Sequence, residues 1–188
     1  MVRLKDRYLL VNIVYTDLPP GQKGSVPDVL LYNQPTIGEL RPQTILKGIR
    51  SQVNALFGDC GSGSVERSLQ VKYLSTATST FILRISRAHY RLVWAALTFM
   101  DRLPLKDGRP CIFRVVRVSG TIRKVEEEAI RRAKLLVLAA KDEMAGKASP
   151  SDALNALFRG GKDSARNLAL VNDDHDDAEM DEGEVSDG

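Results

Sequence analysis

Apolar residues recur along the chain with the two periods that distinguish strands from helices. Residues 8–14 are apolar at both alternating sets of positions, which indicates a central strand covered on both faces. Residues 69–74 and 80–86 have the pattern of two strands joined by a short turn, and therefore of a hairpin. A fourth strand is predicted over residues 111–118, and Pro110 just before it favours the edge of a sheet.

Three other stretches have the spacing of amphipathic helices. The first covers residues 44–57, where apolar side chains recur every three or four positions and Gly58 suits the C-terminal cap. The second covers residues 90–100, and the third runs from residue 122 to about 145. Residues 59–64, which read Asp-Cys-Gly-Ser-Gly-Ser, are predicted to be a flexible connection and match no phosphate-binding loop motif.

The order of these elements is strand, helix, strand, strand, helix, strand and a terminal helix. It predicts an α+β fold, a ferredoxin-like or RNA-recognition-motif-like βαββαβ sandwich with an added C-terminal helix. In this topology the first strand lies beside the third and the fourth. Residues 80–85 lack the run of glycine and aromatic residues that stacks bases in RNA-recognition motifs, which disfavours base-stacking recognition of single strands.

The distribution of glycine and proline predicts the domain organisation. Residues 17–42 carry eight of these breakers and are expected to form a loop insertion, with residues 29–32 docking locally. The insertion belongs to a predicted RNA-binding domain over residues 1–145. A weakly structured extension is expected over residues 146–171, followed by a disordered acidic tail over residues 172–188.

Charge is distributed unevenly between the body of the chain and this tail. The formal net charge is +3, from 27 basic and 24 acidic residues. Nine of the acidic residues and no lysine or arginine lie in residues 173–188, so residues 1–172 hold 27 basic against 15 acidic side chains, a net +12. A body this basic favours a polyanionic partner. The tail is interpreted as a competitor of nucleic acid, a handle for basic partners or a solubilising segment.

The sequence does not contain a recognisable set of catalytic or metal-binding groups. Cys60 and Cys111 lack the spacing of a zinc site or a disulfide framework, and His89 and His175 are far apart in the sequence. Carboxylates lie in the tail or next to arginines of the last helix, so no two-metal nuclease site can be assembled. We therefore expect no cofactor, metal or catalytic residue, and no segment is apolar enough to predict a signal peptide or a membrane span.

The start of the last helix is a candidate anion site. Gly120 precedes a first turn that carries Arg123 and Lys124, although the free N–H groups and the helix dipole make cations unfavourable there. A bound phosphate would explain them. The alternative is that Thr121 caps the helix and both cations are solvated.

Two further features of the charged residues need an explanation. Arg84 lies in the middle of the third strand on its less apolar face, where it needs solvent, an internal ion pair or an anionic ligand. Along the last helix, Glu127 precedes Arg131 by four residues and Glu128 precedes Arg132 by four. This spacing predicts two ion pairs on a solvated face.

Four stretches together resemble a known family. They are residues 1–10 (MVRLKDRYLL), 71–74 (VKYL), 90–97 (YRLVWAAL) and 118–123 (VSGTIR). In this order they are similar to the fifth Pop protein family, whose members are shared by ribonuclease P and ribonuclease MRP. The insertion at 17–41 departs from shorter members of that family, and the sequence after about residue 134 carries no motif of it.

The resemblance implies a non-catalytic protein that binds the catalytic RNA of an RNA-based endoribonuclease. That enzyme removes the 5′ leader from precursor tRNA, and the related MRP particle processes precursor ribosomal RNA. The resemblance further implies a TIM-barrel-type protein partner, contact with precursor tRNA through the complex, and a nuclear and nucleolar location.

We hypothesise that six cations contact RNA phosphates: Arg3, Lys5, Arg7, Arg84, Arg123 and Lys124. The alternative is a protein-interaction module of a ribonucleoprotein with no direct RNA contact. The apolar first strand and the candidate exposed residues Tyr90 and Trp94 favour that alternative. A stand-alone hydrolase is a third interpretation, which metal-dependent RNA cleavage by the purified chain would support.

Overall fold

A computed structural model describes residues 5–17, 28–36, 40–106 and 108–144. Arg3, the extension at 146–171, the acidic tail and half of the predicted insertion lie outside these residues. The described elements are, in chain order, β1 (Asp6–Tyr15), α1 (Asp28–Tyr32), α2 (Pro42–Glu66), β2 (Gln70–Ser75), β3 (Thr80–Ser86), α3 (Tyr90–Phe99), β4 (Cys111–Ser119) and α4 (Ile122–Met144).

The four strands form one antiparallel sheet in the order β2-β3-β1-β4. With the helices in their observed places along the chain, this is the ferredoxin-like α+β fold that the order of elements predicted. β1 pairs with both β3 and β4, and β4 lies at an edge, as Pro110 indicated. Both predictions about strand position are therefore confirmed.

The central strand is covered on both faces because helices pack on each side of the sheet. Leu9, Val11 and Ile13 are fully buried on the side of α2 and α3. On the opposite face Leu10 packs with Ile82 of β3 and with Val125 of α4. In RNA-recognition motifs the face of the four-stranded sheet opposite the two helices stacks bases. Here α4 covers the face that lies opposite α2 and α3.

The first long helix extends further than the sequence predicted. The predicted stop at Gly58 is a break in the helix, where the residue adopts φ 63° and ψ −160°, but residues 59–64 are helical rather than a flexible connection. Two buried residues hold the second half in place. Val65 is fully buried, and Gly61 packs so closely against Phe57 that a Cβ at position 61 would clash with the Cβ of Phe57.

A short helix, α1, lies inside the stretch that was predicted to be a loop. Its Leu31 is buried, which accords with the local docking expected there. The chain that follows is tied to β1 by buried hydroxyl groups. Tyr15 Oη lies 2.6 Å from Thr36 Oγ1, which in turn lies 3.0 Å from Ser79 Oγ. These hydrogen bonds fix the far end of β1 against the β2–β3 turn.

β4 contains an irregularity that changes which side chains face α4. Leu10 pairs with Arg117, but the next residue, Val11, pairs with Val115. The extra residue is a β-bulge, and it shifts the alternation of side chains by one position. As a result Arg114 and Arg117 both lie on the face that α4 covers, although a spacing of three in a regular strand would place them on opposite faces.

Candidate RNA-binding surface

Four chain segments meet at one end of the sheet: the start of β1, the ends of β3 and β4, and the start of α4. Tyr8 of β1 pairs with Arg84 on one side and with Ser119 on the other, and α4 begins three residues after Ser119. We call the cations at this place the basic end of the sheet: Lys5, Arg7, Arg84, Arg87, Arg123 and Lys124. Five of the six candidates from the sequence are thus brought together, and Arg3 lies outside the described residues.

Arg7 is part of the packing of the basic end. Its side chain is largely buried, with a residue exposure of 9%, and Nη1 donates to the carbonyl of Asp6 at 3.1 Å. A Cβ added at Gly120 would lie 3.3 Å from the same Nη1, so the glycine leaves room for the guanidinium against the turn. Arg7 therefore joins β1 to the Ser-Gly-Thr turn before α4, and the structure places most of its surface away from solvent.

Arg84 has an internal anionic partner. Its Nε and Nη2 donate to Oδ2 of Asp6 at 2.8 and 2.5 Å. The hydrogen bond from Arg84 to Asp6, and then the charge of that carboxylate, raise the pKa of Arg84. The pair remains partly exposed, with side-chain exposures of 38% for Arg84 and 24% for Asp6. An internal ion pair was one of the interpretations left open by the sequence.

The first turn of α4 presents two exposed cations from the predicted set. Lys124 is exposed, and the Arg123 side chain is 87% exposed. Arg123 Nε donates to Glu127 Oε1 at 3.1 Å, so the predicted pairing of Glu127 with Arg131 is wrong. An exposed pair of this kind contributes at most about 1 kcal/mol, which leaves Arg123 able to exchange Glu127 for a phosphate at little cost.

Arg87 completes the basic end and was missed by the sequence reasoning. It is exposed directly after β3, and its backbone N–H donates to the carbonyl of Lys5 at 2.9 Å. The pairing of β1 with β3 places these two residues side by side. Arg87 could have been found from the predicted antiparallel pairing of the first and third strands. This pairing brings the residues after β3 next to those before β1.

A second group of arginines surrounds Glu128 between α4 and β4. Arg131 donates to both oxygens of Glu128 at 2.8 and 2.6 Å, and Arg132 Nε donates to Oε1 at 3.0 Å. Arg117 of β4 lies 3.6 Å from Oε2. The predicted pair of Glu128 with Arg132 is confirmed, but Glu128 also takes the arginine that had been assigned to Glu127.

Burial and the charge of the ion-pair partner act in opposite directions on the pKa values of Glu128 and Arg132. Burial acts to raise the pKa of Glu128, but hydrogen bonds from Arg131 and Arg132 and then their charges outweigh it, so the pKa lies below its usual value. Burial lowers the pKa of Arg132, and it also lowers that of Arg114, which the charge of Arg132 lowers further. Three arginines are thus held around the Glu128 carboxylate, and the charge of Arg132 also acts on Arg114.

The residues proposed for protein contact are placed differently from expectation. Tyr90 is buried, with an exposure of 8%, so it is not the exposed contact residue that the sequence suggested, and Trp94 is half-buried. The helix that carries them packs Tyr90 towards the core. Large apolar side chains are exposed elsewhere, at Phe99, Ile112, Ile130, Val137 and Leu138.

The described residues contain neither a metal site nor a membrane-spanning helix. Among the described residues, no group of three or more His, Cys, Asp or Glu side chains is arranged to hold a metal ion. In the same part of the chain, none of the helices combines the length and apolar character needed to cross a membrane.

Known proteins match this chain over a region that carries all of the basic end except Lys5. The model of the Rpp14/Pop5 family matches residues 7–130. The chain belongs to this family. The matched region holds Arg7, Arg84, Arg87, Arg123 and Lys124 and ends within α4.

Individual members of the Rpp14/Pop5 family are similar over most of their length. Ribonuclease P/MRP protein subunit POP5 of Schizosaccharomyces pombe is 46% identical over 137 residues, which are 71% of this chain and 89% of the relative. The Saccharomyces cerevisiae protein of the same name is 39% identical, over 70% and 77% of the two chains. The human one is 33% identical, over 73% and 77%. A chain in the cryo-EM structure of yeast ribonuclease MRP is similar with a TM-score of 0.45 and 14% identity, over 71% of this chain and 98% of that chain.

Proposed function

We propose that this protein is a non-catalytic subunit of the ribonuclease P/MRP ribonucleoprotein that binds the catalytic RNA core through the basic end of the sheet. In that role it supports 5′ leader removal from precursor tRNA and the processing of precursor ribosomal RNA. The names of its relatives support the subunit role. The main support for RNA contact is that cations from β1, β3 and α4 lie together at one end of the sheet.

The arrangement suits the recognition of folded RNA by its backbone. Phosphate contacts fix the position of a protein on nucleic acid without reading sequence. Lys5, Arg87 and Lys124 are exposed at the basic end, and Arg123 can release Glu127. Arg7 and Arg84 act differently, because their contacts with Gly120 and Asp6 hold the turn and the strand in position. The proposed binding surface therefore combines exposed cations with Arg7 and Arg84, which hold the turn and the strand in position.

In this role the catalytic RNA, and not this protein, cleaves the substrate. The remaining partners are a TIM-barrel-type protein subunit and, through the assembled particle, precursor tRNA, with a nuclear and nucleolar location. A protein-interaction module without RNA contact is the second candidate. It is favoured by the exposed apolar side chains on α3, β4 and α4, of which Phe99 is 65% exposed.

Charge reversal at the basic end separates the two candidates. We expect the double substitution Arg123→Glu and Lys124→Glu to remove most of the co-purifying RNA when the tagged full-length protein is isolated from its own cells. The matched control is Lys134→Glu with Lys141→Glu, which changes the net charge equally at exposed positions further along the same helix. The measurement is sequencing and quantification of the RNA, with mass spectrometry of the protein partners in the same samples.

Each result favours one candidate. Loss of structured RNA with retained protein partners, in the basic-end variant alone, supports direct RNA binding. Equal RNA recovery from both variants and the wild type contradicts it and favours the protein-interaction module. Cleavage of precursor tRNA by the purified chain without any RNA subunit would contradict the non-catalytic assignment.

A further inference from the structure

The outer side of α4 carries an apolar stripe that the described part of the molecule leaves largely uncovered. Ile130, Ala133 and Val137 are spaced by three and four residues and therefore share one side of the helix. Ile130 is 56% exposed and Val137 is 52% exposed. A helix that serves only to cover a sheet carries polar side chains on its outer side, so this stripe is suited to a further contact.

The stripe continues into a pocket of about 400 Å³ between α4 and the sheet. Ile130 and Ala133 line this pocket, and the stripe and the pocket together form one apolar surface, which we call the α4 groove. Two charged residues of α4 also line the pocket. Arg132 is paired with Glu128, and Glu126 is exposed to solvent, so the α4 groove selects an occupant by apolar contact rather than by charge.

The chain itself contains a segment with a matching apolar pattern. Residues 145–158 follow α4, lie outside the described residues and read AGKASPSDALNALF. In residues 152–158, Leu154 is followed by Leu157 and Phe158 after three and four positions, which is the spacing of one side of a helix. The first residue of this segment is an aspartate, which suits the N-cap.

The connection to this segment is long enough for the chain to fold back along α4. Residues 145–151 span at most about 23 Å when they are extended. Val137 and Ile130 precede Met144 by seven and fourteen positions, which correspond to about 10 and 21 Å along the helix. The connection contains a glycine and a proline, and both favour a turn. The segment can therefore reach both ends of the stripe.

We infer that residues 152–158 dock as a short helix in the α4 groove of the same chain, antiparallel to α4. Leu154 then lies on Val137, and Phe158 lies on Ala133 at the mouth of the pocket. The two contacts are compatible because both pairs of residues are four positions apart in their helices. The inference goes beyond the proposed function and does not depend on RNA binding.

A segment of the same chain has an advantage over a separate molecule as the occupant. A short linker keeps the segment at a high effective concentration near the groove, whereas a protein partner or a second copy must reach it from solution. Docking removes the apolar side chains of residues 154–158 from water together with Ile130 and Val137. Apolar surface on both sides is therefore buried in one step, which favours the docked state.

Hydrogen exchange of the full-length protein tests the inference. We expect Leu157→Asp to speed amide exchange in residues 130–141 by about tenfold, because it removes a buried leucine and adds a charge to the docked side. The matched control is Leu168→Asp, which makes the same change further along the chain and should leave exchange in α4 as in the wild type. Unchanged exchange in β1 would show that the sheet stays folded in both variants.

An engineered disulfide tests the predicted pairing of residues directly. In a Cys60→Ser background at low protein concentration, Val137→Cys with Leu154→Cys should form an intramolecular disulfide on air oxidation. The control pair, Val137→Cys with Leu168→Cys, should form it much more slowly, because a disulfide requires Cα atoms about 4.4–6.8 Å apart. Cys60 is replaced because it is exposed, whereas the other native cysteine is buried.

The alternative occupants give different results. If Leu157→Asp leaves exchange in α4 as in the wild type and the two cysteine pairs react equally fast, residues 152–158 do not occupy the α4 groove and the inference is wrong. Exchange in α4 that slows with increasing protein concentration would assign the groove to a second copy. Protection that is present only in a particle isolated from cells would assign it to a protein partner. Both of these results would also overturn the inference.

Discussion

At the scale of single residues, Glu128 joins α4 to β4 through charge. Its side chain is 10% exposed and lies within ion-pair distance of Arg117, Arg131 and Arg132. The negative charge of this carboxylate offsets the repulsion between the neighbouring guanidinium groups in a partly buried site. Removing one partner of a buried ion pair costs about 3–5 kcal/mol, and exposed pairs cost far less.

We predict that Glu128→Gln lowers the free energy of unfolding by about 2 kcal/mol. The value lies below that for a fully buried pair because Arg117 and Arg131 are 38% and 48% exposed and are therefore partly screened. Urea denaturation at neutral pH measures the change. The matched control is Glu127→Gln, which removes an exposed carboxylate paired with Arg123 and should change stability by less than about 0.5 kcal/mol.

The difference in stability between the wild type and Glu128→Gln should depend on pH. The folded-state pKa of Glu128 is lowered, so its stabilising effect is complete above the unfolded-state pKa of about 4.3 and is lost as the pH falls through the folded-state value. The stability difference between wild type and Glu128→Gln should therefore be largest near neutral pH and shrink on acidification. A difference that stays constant down to pH values of about 2 would contradict the role of the ionised carboxylate.

At the scale of elements, the break in α2 depends on a glycine. Gly58 adopts φ 63° and ψ −160°, a region that essentially only glycine occupies. We predict that Gly58→Ala lowers the free energy of unfolding by about 1–3 kcal/mol through backbone strain alone, because a Cβ there has no neighbour within 4 Å. Thermal or urea unfolding would measure this change.

A neighbouring glycine provides the opposite outcome as a control. Gly63 lies in the second half of α2, and a Cβ there also meets nothing within 4 Å. Gly63→Ala should raise the free energy of unfolding by about 0.5–1 kcal/mol, because alanine favours the helix and restricts the unfolded chain. Equal effects of the two substitutions would show that the break at Gly58 does not constrain α2.

The elements also show what the sequence could and could not predict. The apolar content of residues 8–14 and the position of Pro110 predicted a central β1 and an edge β4, because burial and missing N–H groups leave direct signals. The extension of α2 to Glu66 was missed, since the glycine- and serine-rich residues 59–64 have low helix propensity. Tertiary burial of Val65 outweighs that propensity.

The candidate site was predictable to the same limited extent. Fold topology was enough to bring Arg84 and Lys124 to one end of the sheet. The partners Asp6 and Glu127 depend on side-chain geometry that the alternation pattern does not specify. The arginine group around Glu128 depends on the bulge in β4, and one extra residue in a strand leaves no sequence signal of its own.

At the scale of the whole molecule, burial reduces the number of cations that RNA can reach. Six phosphate contacts would give a slope of log K against log salt of about −4 to −5. Arg7 is buried and the Arg84 side chain is only 38% exposed, whereas the other four cations of the basic end are exposed: Lys5, Arg87, Arg123 and Lys124. We therefore predict a slope of about −3, measured by fluorescence anisotropy on a short RNA duplex. A nearly flat salt dependence would contradict phosphate contact.

The net charge of the whole chain allows a separate prediction, which concerns the effect of the acidic tail on RNA affinity. Deleting residues 173–188 removes nine carboxylates and changes the formal charge from +3 to +12. A more positive protein attracts a polyanion more strongly, and salt screens this attraction over a Debye length of about 10 Å at 0.1 M. We expect the deletion to increase RNA affinity severalfold at low salt and to have little effect near 1 M.

Two tail variants identify the cause of that change. A tail with its nine carboxylates replaced by amides keeps its length and should bind RNA like the deletion, whereas a tail with the same residues in scrambled order should bind like the wild type. If the deletion leaves low-salt affinity unchanged, the tail is a solubilising segment and does not compete with nucleic acid. If only the natural order weakens binding, specific contacts made by the tail, rather than its charge, oppose the RNA.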